Sequence, residues 1–379
     1  MSRRAFDAIV VGVGGLGSAA VYHLARRGRS VLGLERFDVP NELGSSHGVT
    51  RIIRLAYYEH PSYVPLLRRS YELWRELQEA AGEQLLHVTG SLDAGPPESF
   101  VFEGSLRSCR EHGLEHEVID SAEVARRFPA YRLPAETLGL LQPEGGFLLP
   151  ERCIVAHVEL AHELGAVVNA RERVLGWEPT RNGVLVTTDR EAYEAERLVL
   201  TTGAWLGELA GLPVVAERQV LAWLQPLKLE LFAPERFPVF NLIVEEGRYY
   251  GFPVFGIPGF KFGRYHHLEE HGDPDLLDRE PTPRDAEVLR TFAERYFPDG
   301  AGPTMTLKAC LFENTPDEHF LLGLHPQHEQ VVVAGGGSGH GFKFASVIGE
   351  IVAELAAGES PRLDIGLLAP QRFARKTAE

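Results

Sequence analysis

Cysteine is scarce in this chain. Only Cys109, Cys153 and Cys310 occur among 379 residues, far apart and with no CxxC pair, which excludes a disulfide framework and a cysteine-rich zinc site. Basic residues are outnumbered, 38 Lys and Arg against 53 Asp and Glu. The formal charge of −15 argues against nucleic acid or an anionic membrane surface as partner. No apolar run is long enough to span a bilayer, and repeats and low-complexity linkers are missing. The N-terminus enters an apolar strand directly, with no signal-like segment ahead of it, so the expected location is the cytoplasm. What remains is the profile of a globular protein, 44% hydrophobic and 24% charged, too long for one ordinary core and expected to form two domains.

The stretch Phe6 to Pro40 organises the rest. Ala8 to Val11 is a short β-branched run suited to a parallel strand buried on both faces. Gly12, Gly14 and Gly17 follow with GxGxxG spacing. The first makes a tight turn, the second lets backbone approach a pyrophosphate and the third lets helix pack on strand. Ser18 to Arg27 continues as a helix whose N-terminus offers N–H groups to phosphate. Val31 to Leu34 is a second strand ending at Glu35, a carboxylate that accepts both hydroxyls of an adenosine ribose. A lone GxGxxG is a weak signal, whereas the whole strand–turn–helix–strand–acid unit is a strong one for dinucleotide binding.

Further along, Tyr63 to Ala80 reads as an amphipathic helix and Leu86 to Asp93 as a strand. Pro97 to His112 reads as a helix, and Val118 to Arg127 as a strand passing into a helix capped by Ser121. Pro150 opens a helix to Leu164, and Ala166 to Thr188 is a hairpin about Asn182-Gly183. Arg197 to Leu200 is a buried strand leading into a small-residue turn at Gly203. Gln219 to Gly263 shifts towards antiparallel sheet. Thr282 to Tyr296 is a helix. Val331 to Val333 is a last parallel strand, followed by a glycine-rich turn, Gly335 to Gly341, and a helix to Leu355. Two glycine-rich strand–turn–helix units, one at each chain end, suit FAD better than NAD. The N–H donors near Gly341 match the negative charge a flavin gains on reduction.

Five segments carry a family likeness: RIIR (Arg51 to Arg54), YYGFP (Tyr249 to Pro253), KFGRYHH (Lys261 to His267), KACLFENTPDEHF (Lys308 to Phe320) and SGHGFKF (Ser338 to Phe344). Over essentially its whole length the chain resembles the monomeric sarcosine oxidase family, whose relatives include N-methyltryptophan oxidase and pipecolate oxidase. The resemblance implies a monomeric flavoprotein oxidase of secondary amino acids, with oxygen as acceptor and no metal. The implied fold class is α/β plus antiparallel β: a glutathione-reductase-like, Rossmann-type FAD domain over residues 1–85, 143–218 and 310–379. A β-sheet substrate domain, 86–142 and 219–309, is inserted into it.

The resemblance also assigns roles. Cys310 matches the cysteine joined through sulfur to the flavin, and Lys308, two residues away, could help its thiolate form. Arg54 and Lys343 match the pair that holds the substrate carboxylate, with Tyr250 on the pocket wall. Arg51 matches an arginine beside the flavin ring, and Lys261 the lysine that promotes reaction with oxygen. The histidine is His266 or, one residue on, His267. His47 and Thr50 belong to the same loop as Arg51, as flavin contacts or as loop-shaping residues. The remaining cofactor set is Gly12, Gly14, Gly15, Gly17, Glu35, Arg36, Ser46, Val174, Gly203, Trp205, Gly339, His340, Gly341 and Phe342, with Lys343 serving here too. Phe312 departs from the family, standing where a tyrosine is expected and removing a hydroxyl. Alternatives of other kinds are a flavin dehydrogenase using another acceptor, a flavin-binding protein without turnover, and an NAD-dependent dehydrogenase.

Overall fold

The computed structural model describes residues 4–373. Its N-terminal unit is strand Arg4–Val11, helix Gly15–Arg26 and strand Val31–Leu34. Ala8, Ile9, Val10 and Val11 are all buried, as a strand covered on both faces requires. Arg4–Val11 pairs in parallel with Val31–Leu34 on one side and Ala192–Leu200 on the other. Ala192–Leu200 pairs in parallel with His328–Gly335, which brings the two chain ends into one eight-stranded sheet. Helices Gly15–Arg26, Tyr63–Ala81, Pro150–Glu163 and Ala345–Ala356 share one core, including Leu24, Leu67, Trp74, Ala156 and Ile348.

A nine-stranded, largely antiparallel sheet makes the second half. Strand Val215–Leu224 runs against Thr304–Asn314 along its whole length, from Val215 opposite Asn314 to Leu224 opposite Thr304. The expected domain boundaries at 218/219 and 309/310 both fall inside this pair, and continuous register leaves no place for a break there. Both strands go with the substrate half. Its core is aromatic, with Phe232, Phe237, Phe240, Phe260, Phe292 and Phe297 buried together. Helix Pro283–Tyr296 covers it, held at its start by a capping box between Thr282 and Asp285.

Local differences from the sequence reading have simple causes. The expected strand from Leu86 to Asp93 is two strands in different sheets, Leu86–Val88 and Ser91–Gly95. Gly90, at φ +77°, turns the chain between them, a conformation that favours glycine. Asp120, not Ser121, caps the helix Ser121–Arg127, accepting from the Glu123 N–H. The helix expected from Pro97 begins at Phe100 behind a Ser99 cap. The hairpin turn falls on Arg181 and Asn182, between strands Val174–Thr180 and Gly183–Thr188.

Candidate active site

A cleft with about 1170 Å³ of space, its solvent-open mouth included, lies where the parallel strands end, the usual place for a nucleotide in an open α/β sheet. Its walls include Gly12, Gly14, Gly15, Glu35, Arg36, Ser46, Val174, Gly203 and Trp205. The glycines act as their spacing predicts. Gly12 takes φ +87°. Gly14 has open space where a side chain would project, and a Cβ on Gly17 would lie 1.8 Å from the Gly12 carbonyl oxygen. Gly17 is therefore off the cavity wall and holds helix against strand. The Glu35 carboxylate is fixed by the N–H groups of Val13 (2.9 Å) and Phe37 (3.0 Å).

A second cavity, about 850 Å³ with its solvent-open part included, is lined by Arg51, Arg54, Tyr250, Phe252, Tyr265, Cys310, Phe312, His340 and Lys343, among others. Gly15, Leu16, Ser45, Ser46 and Glu313 wall both cavities. The two are thus ends of one channel, running from Glu35 to the substrate sheet. Buried polar atoms without a partner face it: Ser45 Oγ, Thr202 Oγ1 and Glu313 Oε2. Unpaired buried oxygens are costly, and hydroxyls or phosphates of a bound dinucleotide would satisfy them.

The second cavity is cationic. Arg54 is fully buried. Its guanidinium grips Glu59 at 2.8 and 3.1 Å, donates to the Ala56 carbonyl at 2.5 Å and lies 3.9 Å from buried Asp93. It rests on the rings of Tyr57 and Tyr58, 4.5 and 4.0 Å from their centroids. Burial alone would push the Glu59 carboxyl upward, but Arg54 outweighs it and holds Glu59 down at about 2. The Lys343 ammonium donates to the His340 carbonyl at 2.7 Å. Burial, reinforced by Arg54, lowers it to about 7. Trp74 and Ser70 bond the Lys343 carbonyl, so helix Tyr63–Ala81 fixes this residue in place.

The Ser45–Arg51 loop carries the edge nearest Cys310. The Glu151 carboxylate accepts the N–H groups of Gly48 (2.5 Å) and Val49 (3.1 Å). From the other side, the Lys261 ammonium donates to the Gly48 and Thr50 carbonyls and the Thr50 hydroxyl at 2.6 to 2.9 Å. Val49 takes φ +73°, a costly conformation for a β-branched residue that persists only where neighbours enforce it. Arg51 Nη2 stands 3.6 Å from Cys310 Sγ.

Most of the residues expected at the site do wall the channel. The exceptions each have a physical reason. Lys261 stands one layer back, its ammonium 4.1 Å from the Phe252 ring centroid, and burial drives its pKa well below the ordinary lysine value. Thr50 is occupied by Lys261, and His47 is buried with neither ring nitrogen partnered among the described residues; neither lines the two cavities. Lys308 does not approach the Cys310 sulfur: it pairs with Glu42 at 2.6 Å, and the cation beside the thiol is Arg51. His266 lies behind Phe312, with ring centroids 6.3 Å apart. Its imidazole bonds Glu217 at 2.8 Å with Glu318 at 3.5 Å, and the two acids raise it to about 9. His267 is buried against Asp285 at 2.9 Å. Strand alternation puts Lys261, Gly263 and Tyr265 on one face, so Tyr265 walls the cavity, and the chain turns away at His266 through φ +50°.

Sequence reasoning missed Glu59, Glu151, Tyr265 and Glu313. Glu313 is buried between the two cavities, where loss of hydration raises its carboxyl to about 7. Tyr265 and Glu313 lie inside the KFGRYHH and KACLFENTPDEHF segments but carry no role there, and Glu59 and Glu151 lie outside every motif; only long-range pairing reveals them.

The sequence profile of the FAD dependent oxidoreductase family matches residues 7–355. The chain belongs to that family. Among curated relatives of this oxidoreductase, monomeric sarcosine oxidase of Streptomyces avermitilis is 41% identical, over 98% of this chain and 99% of its own. Human peroxisomal sarcosine oxidase is 35% identical over 98% and 96%. N-methyl-L-tryptophan oxidase of Yersinia pestis is 33% identical over 97% and 99%. Among solved structures, NikD, an amino acid oxidase essential for nikkomycin biosynthesis, aligns with a TM-score of 0.85 at 28% identity over 97% and 98%. L-proline dehydrogenase from P. horikoshii shares the fold at a TM-score of 0.86 and 22% identity. The channel fits the family's FAD: the glycine turn and Glu35 suit ADP, and the unpartnered oxygens stand along the path between the two ends.

Proposed function

We propose that this FAD-dependent oxidoreductase is an oxidase of a secondary amino acid, N-methylated or cyclic. The observation that carries this reading is that Arg54 and Lys343, both buried cations, wall the same cavity as Cys310. Residues Gly12 to Gly15 and Glu35 would hold the ADP part of the cofactor, and Ser46, Arg51 and Gly339 to Lys343 the flavin part. Cys310 would join the flavin through its sulfur. Bound there, FAD would supply the redox chemistry: acceptance of a hydride equivalent from the carbon next to nitrogen, which would leave an imine that water hydrolyses, and return of the two electrons to oxygen, giving hydrogen peroxide.

The protein's part is binding, desolvation and charge. A substrate carboxylate exchanges with Glu59 on Arg54 and meets the Lys343 ammonium. Tyr250, Phe252 and Phe312 close apolar surface around the amine and exclude water. A secondary ammonium ordinarily holds its proton to about pH 10, like lysine. Arg51, Arg54 and Lys343 surround it with positive charge, which lowers that pKa and favours the neutral amine needed for oxidation. Lys261, one layer behind, loses hydration, but the three oxygens that accept from its nitrogen favour the ammonium form, and in that form its charge would favour reduction of oxygen to superoxide. Phe312, lacking the expected hydroxyl, leaves the cavity more apolar on that side. A cytoplasmic monomer and an FAD domain with an inserted substrate domain belong to the same proposal.

The test is peroxide release under air from sarcosine, N-methyl-L-tryptophan, L-pipecolate and L-proline. Turnover of at least one is expected. Flavin bleaching without peroxide would favour a dehydrogenase, and neither response would leave a flavin-binding protein. Acid-precipitated protein should stay yellow, and the Cys310→Ser pellet should be colourless.

A further inference from the structure

Three cross-strand rungs form one face of the substrate sheet beside the second cavity. Phe252 lies opposite Lys261, Tyr250 opposite Gly263, and the Tyr265 N–H bonds the Arg248 carbonyl at 2.8 Å. Alternation along strand Gly247–Phe252 puts Arg248 on the same face as Tyr250 and Phe252; those two line the cavity, whereas Arg248 stands just beside the wall, against the lining residue Tyr265. Tyr249 points the other way, stacked on Phe292 with ring centroids 3.7 Å apart. Arg248 is the outermost side chain of this stripe and is half-buried.

Its guanidinium is fully stacked but has no acceptor. The central carbon lies 3.6 Å from the Tyr265 ring centroid, 5.4 Å from that of Phe100 and 5.9 Å from that of Tyr58. Among the described residues, no oxygen accepts from its nitrogens and no carboxylate stands within ion-pair distance. The nearest acids are engaged elsewhere, Glu59 on Arg54 and Glu318 facing His266. A guanidinium offers five N–H donors in its plane, and stacking leaves that plane free.

We propose that Arg248 selects a substrate with a second carboxylate, so that this oxidase acts on N-substituted dicarboxylic amino acids. This rests on the oxidase reading above. Arg54 and Arg248 both stack on Tyr58, at 4.0 and 5.9 Å, so their central carbons are at most about 10 Å apart. Two carboxylates separated by two or three carbons bridge such a span, one gripped by Arg54 and Lys343, the other bidentate on Arg248. An aromatic substituent is the poorer candidate, because Tyr265 and Phe100 already occupy the stacking positions.

The experiment compares N-methyl-L-glutamate with N-methyl-L-glutamine, which has the same shape without the charge. In the wild-type holoenzyme kcat/KM should favour the glutamate by about tenfold or more, as expected for a charge-assisted bidentate contact. In Arg248→Met the ratio should fall to about one, and in Arg248→Lys to an intermediate value. A wild-type ratio near one, or an unchanged ratio in Arg248→Met, overturns the proposal. Glutarate and butyrate, titrated against the flavin absorption band, give the same comparison without turnover. A preference for glutarate that depends on Arg248 supports the proposal; equal binding overturns it. If no substrate releases peroxide, the oxidase reading fails, while the glutarate titration still decides the role of Arg248.

Discussion

The two ends of the channel are made of different materials. The Glu35 end is backbone: a glycine turn, a helix N-terminus and a carboxylate pinned by two N–H groups. The Cys310 end is side chains: Arg51, Arg54 and Lys343 face inward, with Glu59 and Asp93 near Arg54. Backbone recognises a constant ligand through shape and fixed donors, and tolerates almost no change of geometry. Charged side chains in a dry cavity can exchange partners, as Arg54 must when a substrate displaces Glu59. Substitutions at the first end should therefore cost the fold and its flavin, and substitutions at the second should cost affinity and rate.

The largest effect is expected at Gly17. A Cβ there would meet the Gly12 carbonyl oxygen at 1.8 Å and Thr201 Oγ1 at 2.7 Å, and only backbone movement relieves the first contact. Gly17→Ala should lose bound flavin and unfold at markedly lower temperature, with a cost above about 4 kcal/mol. The ratio of flavin to protein absorbance and a thermal melt measure both. A Gly17→Ala protein carrying wild-type flavin would break the contrast between the two ends.

Arg54→Met comes next. It removes the bidentate grip on carboxylate and leaves Glu59 and Asp93 without their cation. The expected loss in kcat/KM is about a hundredfold, within the range for truncating one partner of a buried charge pair. Stability should fall by about 3–5 kcal/mol, because an uncompensated charge stays buried. Adding Glu59→Gln separates the two effects: the double variant should regain much of the stability and none of the kcat/KM. Recovery of both would mean that Arg54 serves only to neutralise Glu59.

The same contrast explains what the sequence discloses. Gly12 and Gly17 are legible because glycine spacing encodes conformation locally, and the structure returns the turn and the close packing as read. Cys310, Arg54 and Lys343 are legible because family motifs carry them to the channel wall. Their partners are not. Arg51 rather than Lys308 faces the Cys310 sulfur because Lys308 finds Glu42, 266 positions away in the chain. Tyr265 rather than His266 walls the cavity because the strand ends at Arg264 and the chain turns away at His266 through φ +50°. The boundaries drawn at 218 and 310 fall inside a strand pair for a related reason, since only register shows that Val215–Leu224 and Thr304–Asn314 run side by side. Local conformation is written in the residue itself, whereas pairing is written in a segment far away.

The smallest expected effect is the most diagnostic of the side-chain end. Lys343 is lowered to about 7, so in the free enzyme it is charged below that pH and neutral above it. A carboxylate ligand favours the charged form. Above about pH 7 binding must then take up a proton, and affinity should fall about tenfold per pH unit. Propionate, which has no amine to titrate, isolates this behaviour: its dissociation constant, read from the flavin absorption band, should be flat below about pH 7 and rise above it. Glu313 also titrates at about 7 and walls the same cavity, and its negative charge would weaken propionate binding over the same range. His340, lowered by burial to about 4, stays neutral throughout. Lys343→Met distinguishes the two sources. A flat profile in that variant assigns the slope to the lysine, and a slope that survives the substitution assigns it to Glu313, where Glu313→Gln should then abolish it.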